Sequence, residues 1–439
     1  MKAPVALTHV TVIAGDAAGT VHPEWTVLVG ADGIIEYAGP AAEAVVPPGY
    51  ATIAGAGKFV IPGLINAHAH LFSNGKPLSK VYMHPKTEQV LTRFMRGPLG
   101  QALMRGRTKR NALNQLHSGV TTIRTVGDVA FEVMAIRERI ERGELVGPRI
   151  LPSGPLLAIP NGHGAPQIAH EAETPDQART GTRINLSHGA RSIKISATGG
   201  VTDAKGIGHA GTPEMSEEAM TAICAEAHAA GVLVAAHAQS AEGVRRALRA
   251  GVDTIEHGSS MDDEMIALYR DNPRSLRGWS AMIPTLQACL PLVKLDQSFT
   301  KVSDVVKANA EFVLEEMLSG IRSALENDIA LGVGSDSSVT YVTHSNTWRE
   351  LDCLVRFGGL TAAQALHAVT QVNARILGLD QQLGSIAAGK AADLVLLEQN
   401  PLEALRTLQH PVSVIARGTV IEHPAITRIE AIDDQLDSF

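Results

Sequence analysis

Two histidines one residue apart, His68 and His70, end an apolar run that starts at Phe59 and reads Phe-Val-Ile-Pro-Gly-Leu-Ile-Asn-Ala before the first imidazole. Such a run reads as a buried strand. Positions i and i+2 of a strand face the same side, so both rings can approach one cation. Imidazole is a common ligand of zinc-like metals. Four further residues of suitable type sit in or just after apolar runs downstream: Lys194, His237, His257 and Asp336. One histidine at a strand end is most often an ordinary hydrogen-bonding residue. Six such residues at equivalent places are hard to explain by packing.

Lys194 stands apart, because an ammonium repels a metal. It lies in Arg191-Ser-Ile-Lys-Ile-Ser-Ala197, a strand otherwise apolar or small. Burial there would depress its pKa and favour the neutral amine. A neutral lysine can add carbon dioxide and become a carbamate, a bridging carboxylate.

The elements that must position these residues are legible as two grammars. Residues 1–57 alternate short apolar runs with turns such as Ala31-Asp-Gly33, and residues 381–439 do the same, with Asp393–Leu397 and Val412–Ala416 as strands and Arg417-Gly-Thr419 as a turn. The spacing predicts one small β-sandwich domain assembled from both ends. Between them, residues 58–380 alternate apolar strands with helical stretches such as 216–230 and 240–250, the signature of βα units. Eight strands are predicted, at 59–67, 120–124, 149–153, 192–196, 233–237, 253–257, 281–285 and 329–334. The expected fold is therefore α/β, a (β/α)8 TIM-type barrel whose active site lies at the C-terminal strand ends. Insertions at 73–110 and 287–315 follow the first and seventh strands, and the first carries Lys76, Lys80, Lys86, Arg93, Arg96 and Arg105.

Composition narrows the function. With 439 residues and 45% hydrophobic content the chain can bury a large core, and 19% charged residues argues against disorder. A formal net charge of -7 gives no polyanion-binding surface, so nucleic acid is not an expected partner. Cys224, Cys289 and Cys353 are far apart with no C-x-x-C pair, which fits free thiols in a reducing cytoplasm. No apolar stretch is long enough for a transmembrane helix, and a membrane is not an expected partner.

The arrangement resembles the amidohydrolase superfamily, specifically its binuclear members with a carboxylated lysine. The resemblance runs from the opening β segment through His68-Ala-His70 to Leu383-Gly-Ser-Ile-Ala-Ala-Gly-Lys-Ala-Ala-Asp-Leu-Val395. It implies two divalent metal ions, zinc first among the candidates. His68 and His70 would bind one ion together with Asp336, His237 and His257 the other, and carboxylated Lys194 would bridge them. Gly162-His-Gly164, Ala197-Thr-Gly-Gly-Val201, Thr254-Ile-Glu-His-Gly258, Ile283-Pro-Thr-Leu286 and Gly334-Ser-Asp336 with His344 resemble the Xaa-Pro and Xaa-Arg dipeptidase (carboxypeptidase-like) branch and the ochratoxin amidases. Met215, where an aromatic residue is usual, and Thr125, where an Asp is usual, depart from that branch.

The expected activity is hydrolysis of an amide bond in a small molecule, a dipeptide or N-acyl amino acid with a free carboxylate. Two metals lower the pKa of a shared water, so hydroxide is available near neutral pH. Asp336 is expected to carry the proton to the leaving amine. His163 and His344 are expected to meet the substrate and its developing oxyanion, and Arg124, at a rigid strand end, to clamp the carboxylate. A mononuclear deaminase is disfavoured because His237-Ala-Gln-Ser240 has no Glu shuttle at its end. Lactone or ester hydrolysis uses the same site, and an inert structural homologue would have lost ligands that this chain keeps. The resemblance also implies a homo-oligomer.

Overall fold

Both chain ends fold into one sheet, and a glycine decides where the chain leaves it. The computed structural model describes residues 3–77 and 85–439, so Lys80 lies outside the described residues. From the N-terminus the strands are β1 (Val5–Ile13), β2 (Val21–Val29), β3 (Ile35–Pro40), β4 (Ala51–Ala54) and β5 (Phe59–Pro62). The expected single strand over 59–67 is broken at Gly63. Its N–H donates to Asp393 O at 2.7 Å, and a Cβ there would stand 2.2 Å from Thr121 Oγ1. Only glycine permits that approach. β5 therefore stays in the terminal sheet, while β6 (Leu64–Ala69) starts a new one with every residue buried.

β6 pairs in parallel with β7 (Val120–Thr125), and β7 with β8 (Arg149–Leu151). A second parallel sheet contains β9 (Leu156–Ala158), β10 (Ala169–Glu171), β11 (Ser192–Ser196), β12 (Leu233–Ala238), β13 (Thr254–His257) and β14 (Ala281–Ile283), in the order β10-β9-β11-β12-β13-β14. The expected eighth strand is a bridge rather than a strand. Its backbone bonds β14 on one side, Met282 N to Ala330 O at 3.0 Å, and β6 on the other, Ala67 N to Val333 O at 3.0 Å. Between β8 and β11, Arg191 N donates to Pro152 O at 2.8 Å.

Strands β15 (Leu394–Leu397), β16 (Ser413–Ala416) and β17 (Thr419–Glu422) return to the first sheet, whose order is β17-β16-β15-β5-β1-β2-β3 with β4 on β1. Hydrogen bonding joins all eight strands into one mixed sheet. The two turns predicted at opposite chain ends meet here: a Cβ on Gly33 would lie 2.3 Å from Arg417 O. Val5, Leu7, Val27, Leu394 and Ile415 form a core separate from the larger one under the parallel sheets.

The helices are α1 (Pro85–Arg96), α2 (Pro98–His117), α3 (Glu132–Glu141), α4 (Pro175–Ser187), α5 (Glu217–Ala229), α6 (Ala241–Ala250), α7 (Asp263–Arg270) and α8 (Leu286–Lys294), followed by further helices after residue 296. Side-chain caps fix where α5, α6 and α7 begin. Ser216, Ser240 and Asp262 accept from the N–H of Ala219, Gly243 and Met265, respectively. Ser240 follows β12 by two residues, so the cap also fixes the exit of the strand that carries His237. Among the described residues no helix is long and apolar enough to cross a membrane.

Candidate metal centre

β6 delivers His68 at its penultimate position and His70 one residue past its end, and both are buried. Each ring is held through Nδ1, by Glu256 Oε2 at 2.6 Å for His68 and by Gly127 O at 2.8 Å for His70. Both partners are acceptors, so the proton of a neutral ring sits on Nδ1 and the lone pair on Nε2. Those two Nε2 atoms stand 3.3 and 3.2 Å from Asp336 Oδ1, itself buried and without a hydrogen-bond partner among the described residues. Lone pairs that face a carboxylate oxygen repel unless a cation lies between them. His68, His257 and Asp336 place one ligand atom each within 4.8 Å of one another.

Two of these residues hold strained backbone. His257 has φ 69° and Asp336 φ 57°, a region that non-glycine residues seldom adopt and that concentrates at functional sites. Asp336 is kept there by its N–H, which donates to His68 O at 2.9 Å. His257 Nδ1 meets Thr285 Oγ1 at 2.7 Å, which turns Nε2 inward. His237 is anchored the other way round, with Nε2 on Gly199 O at 3.3 Å and Nδ1 left over, and its ring meets that of His257 edge-on at 4.6 Å. Burial, then His163, holds His237 well below the ordinary imidazole range; burial, then His68, does the same to His257. Both are therefore neutral donors.

Lys194 Nζ is buried with no hydrogen-bond partner among the described residues. Desolvation pushes it down to about 8, against the pull of Glu256 and Asp336. A lysine that titrates there is partly amine at neutral pH, the form that takes up carbon dioxide. The donor set thus suits divalent cations: neutral imidazoles, one carboxylate and an unpaired amine.

The chain belongs to the amidohydrolase family. The family's profile matches residues 59–421. Among curated relatives, ochratoxinase of Aspergillus niger is 25% identical over 380 residues, covering 81% of this chain and 73% of that protein. Among solved structures, a candidate prolidase from Bifidobacterium longum is 49% identical, with TM-score 0.88, over 99% of this amidohydrolase and 98% of the other chain. A Xaa-Pro dipeptidase with methionine bound in its active site is 26% identical, with TM-score 0.79, over 95% and 100%.

The remaining predicted residues fare differently. His163 stacks on His237 with ring centroids 4.0 Å apart, and its Nδ1 pairs with Asp203. Gly200 makes the contact possible, since a Cβ there would stand 2.5 Å from His163 Nδ1. Burial lowers the His163 pKa, but the Asp203 carboxylate outweighs it and the net shift is upward. His344, in contrast, has both nitrogens occupied. Nε2 meets Ser73 O at 2.7 Å and Nδ1 meets Gln115 Nε2 at 3.2 Å, and burial pushes the pKa down to about 4. No nitrogen is left for an oxyanion, so the substrate role expected of His344 does not hold.

Arg124 is also corrected. Its guanidinium is fully buried, with Nε donating to Ala67 O at 2.6 Å, Nη1 to Thr254 Oγ1 at 2.9 Å and Nη2 to Glu256 Oε1 at 2.7 Å. A group so enclosed does not reach a substrate carboxylate. In the first insertion Arg96 spends its guanidinium on the carbonyls of Val129, Pro166 and Ala169, and Arg93 and Arg105 are exposed. Sequence reasoning missed Glu256, Asp203 and Thr285. The signal for Glu256 was available, because a carboxylate inside the apolar run Thr254-Ile-Glu-His257 must be paired.

Proposed function

We propose that this amidohydrolase cleaves an amide bond in a small substrate, a dipeptide or N-acyl amino acid, with two divalent metal ions. His68, His70 and Asp336 would hold one ion, His237 and His257 the other, with carboxylated Lys194 between them; zinc suits these donors. The observation that carries the reading is the convergence of His68 Nε2, His70 Nε2 and buried Asp336 Oδ1 at 3.2–3.3 Å. The two parallel sheets and the segment that hydrogen-bonds β14 to β6 support a (β/α)8 barrel over residues 58–380, with 1–57 and 381–439 as the second domain.

Ions bound there supply water activation near neutral pH and Lewis-acid polarisation of a carbonyl. The chain does the rest. Asp336, whose Oδ1 faces both histidines, takes the proton that water loses on attack and returns it to the leaving amine. His163, gripped through Nδ1 by Asp203, turns Nε2 away from that carboxylate and donates to the carbonyl oxygen as charge develops. The carboxylate clamp expected of Arg124 has no part in the scheme. Relatives named for dipeptide and ochratoxin chemistry support the substrate class. The test is a panel of dipeptides, N-acyl amino acids, lactones and nucleosides offered to metal-analysed protein. Turnover confined to the amides agrees with the proposal, and turnover only on lactones or by release of ammonia from nucleosides contradicts it.

A further inference from the structure

We propose that Glu256, locked in place by Arg124 and Thr254, is a positioning residue for His68 and sets how firmly one of the two metal equivalents is held. The proposal rests on the two-metal reading above. Three Nδ1 atoms of the centre are gripped from behind, and their partners differ in kind: a backbone carbonyl for His70, a hydroxyl for His257 and a carboxylate for His68 alone. A carboxylate acceptor fixes the tautomer, orients the ring and makes the opposite nitrogen a stronger donor, a pattern that recurs behind metal-bound histidines.

The Glu256 carboxylate has no freedom of its own. Oε1 accepts from Arg124 Nη2 at 2.7 Å and from Thr254 Oγ1 at 2.6 Å, which leaves Oε2 for His68 Nδ1 at 2.6 Å. Arg124 reaches the same ligand by a second route, because its Nε donates at 2.6 Å to Ala67 O, the backbone just before His68. The pair therefore grips His68 through its ring and through its main chain, and ties β6, β7 and β13 together at that level. Both charged side chains are fully buried. Two buried charges are weak evidence for stability, since a well-packed apolar pair often serves the fold as well. An arrangement aimed at one ligand is better explained by the ligand.

Because only His68 is gripped in this way, the effect falls on one equivalent. The experiment measures metal release into a competing chelator for the wild type, for Glu256→Gln and for the charge-balanced Arg124→Gln/Glu256→Gln, with circular dichroism and thermal melting as checks on folding. The double variant leaves no lone buried charge, so its metal behaviour is separable from collapse of the fold. The expected result is one equivalent that leaves about 10- to 100-fold faster than in wild type while the other keeps its rate. If neither variant folds, Thr254→Val decides, with release of the same equivalent about 2- to 10-fold faster for the loss of the hydroxyl's two hydrogen bonds, one donated to Glu256 and one accepted from Arg124. A folded double variant that releases both equivalents at the wild-type rate, or both faster to the same degree, overturns the proposal. A wild type that takes up no metal overturns the two-metal reading, and this inference with it.

Discussion

The strand ends and the loops on this face of the protein use their polar atoms in opposite ways. At the strand ends, His68, His70 and His257 each commit one nitrogen to the protein and aim the other at a shared centre. In the segments beyond, His344 commits both nitrogens, and Arg96 commits its guanidinium to three carbonyls. His163 is a loop residue that follows the strand-end pattern, with Nδ1 on Asp203. The number of ring nitrogens left over, and not mere presence at the functional face, separates a reactive histidine from a structural one.

The largest test of that distinction is at the centre. Lys194→Ala and Asp336→Asn should each fold, and Asp336→Asn should lower kcat by about 10²- to 10⁴-fold, the usual worth of general acid–base catalysis, with KM changed much less. Lys194→Ala should lose bound metal as well, with partial recovery in millimolar formate or acetate. Unchanged metal content and turnover in Lys194→Ala would place that residue with the loop group.

His163 tests the boundary. His163→Ala should cost about 10²- to 10³-fold in kcat if its Nε2 meets the developing oxyanion, and Asp203→Asn should cost less, since the ring remains. Steady-state kinetics on one amide substrate reads both. An Asp203→Asn effect as large as that of His163→Ala would show that the dyad acts as one unit.

His344 gives the smallest effect on turnover and a distinct effect on stability. Its folded pKa of about 4 lies below the ordinary imidazole value, so between those values the unfolded chain takes a proton that the folded one refuses. The stability linked to this group is complete above about pH 6.5, is lost as pH falls toward 4, and amounts to about 3 kcal/mol across that window. Denaturant melts of wild type and His344→Gln should diverge there, with the advantage of wild type shrinking as the solution is acidified, while kcat at neutral pH stays close to wild type. A large loss of kcat would return His344 to the catalytic group.

The strand-end positions of the candidate ligands could be read from the chain because polar residues closing the strands of a parallel sheet leave a periodic trace. Apolar runs end in His68, His237 and His257, and the structure gathers those ends as the alternation of strands and helices requires. What could not be read is what depends on partners distant in sequence. Arg124 stands at a strand end as a substrate clamp would, and only the fold reveals that Glu256, 132 positions away, takes its guanidinium. Asp203 lies 40 residues from His163, in a loop with no periodic signal. The first strand was read too long because an apolar run does not register the crossing of two sheets, which here takes place at Gly63.

The central claim is that His68, His70, Lys194 and Asp336, together with His237 and His257, form a place for two cations. Elemental analysis of protein purified without chelator, before and after dialysis against a strong chelator, tests it most directly. The account predicts close to two divalent metal equivalents per chain, with amide hydrolysis abolished on removal and restored on readdition. Full activity in protein that holds one equivalent or none would contradict it.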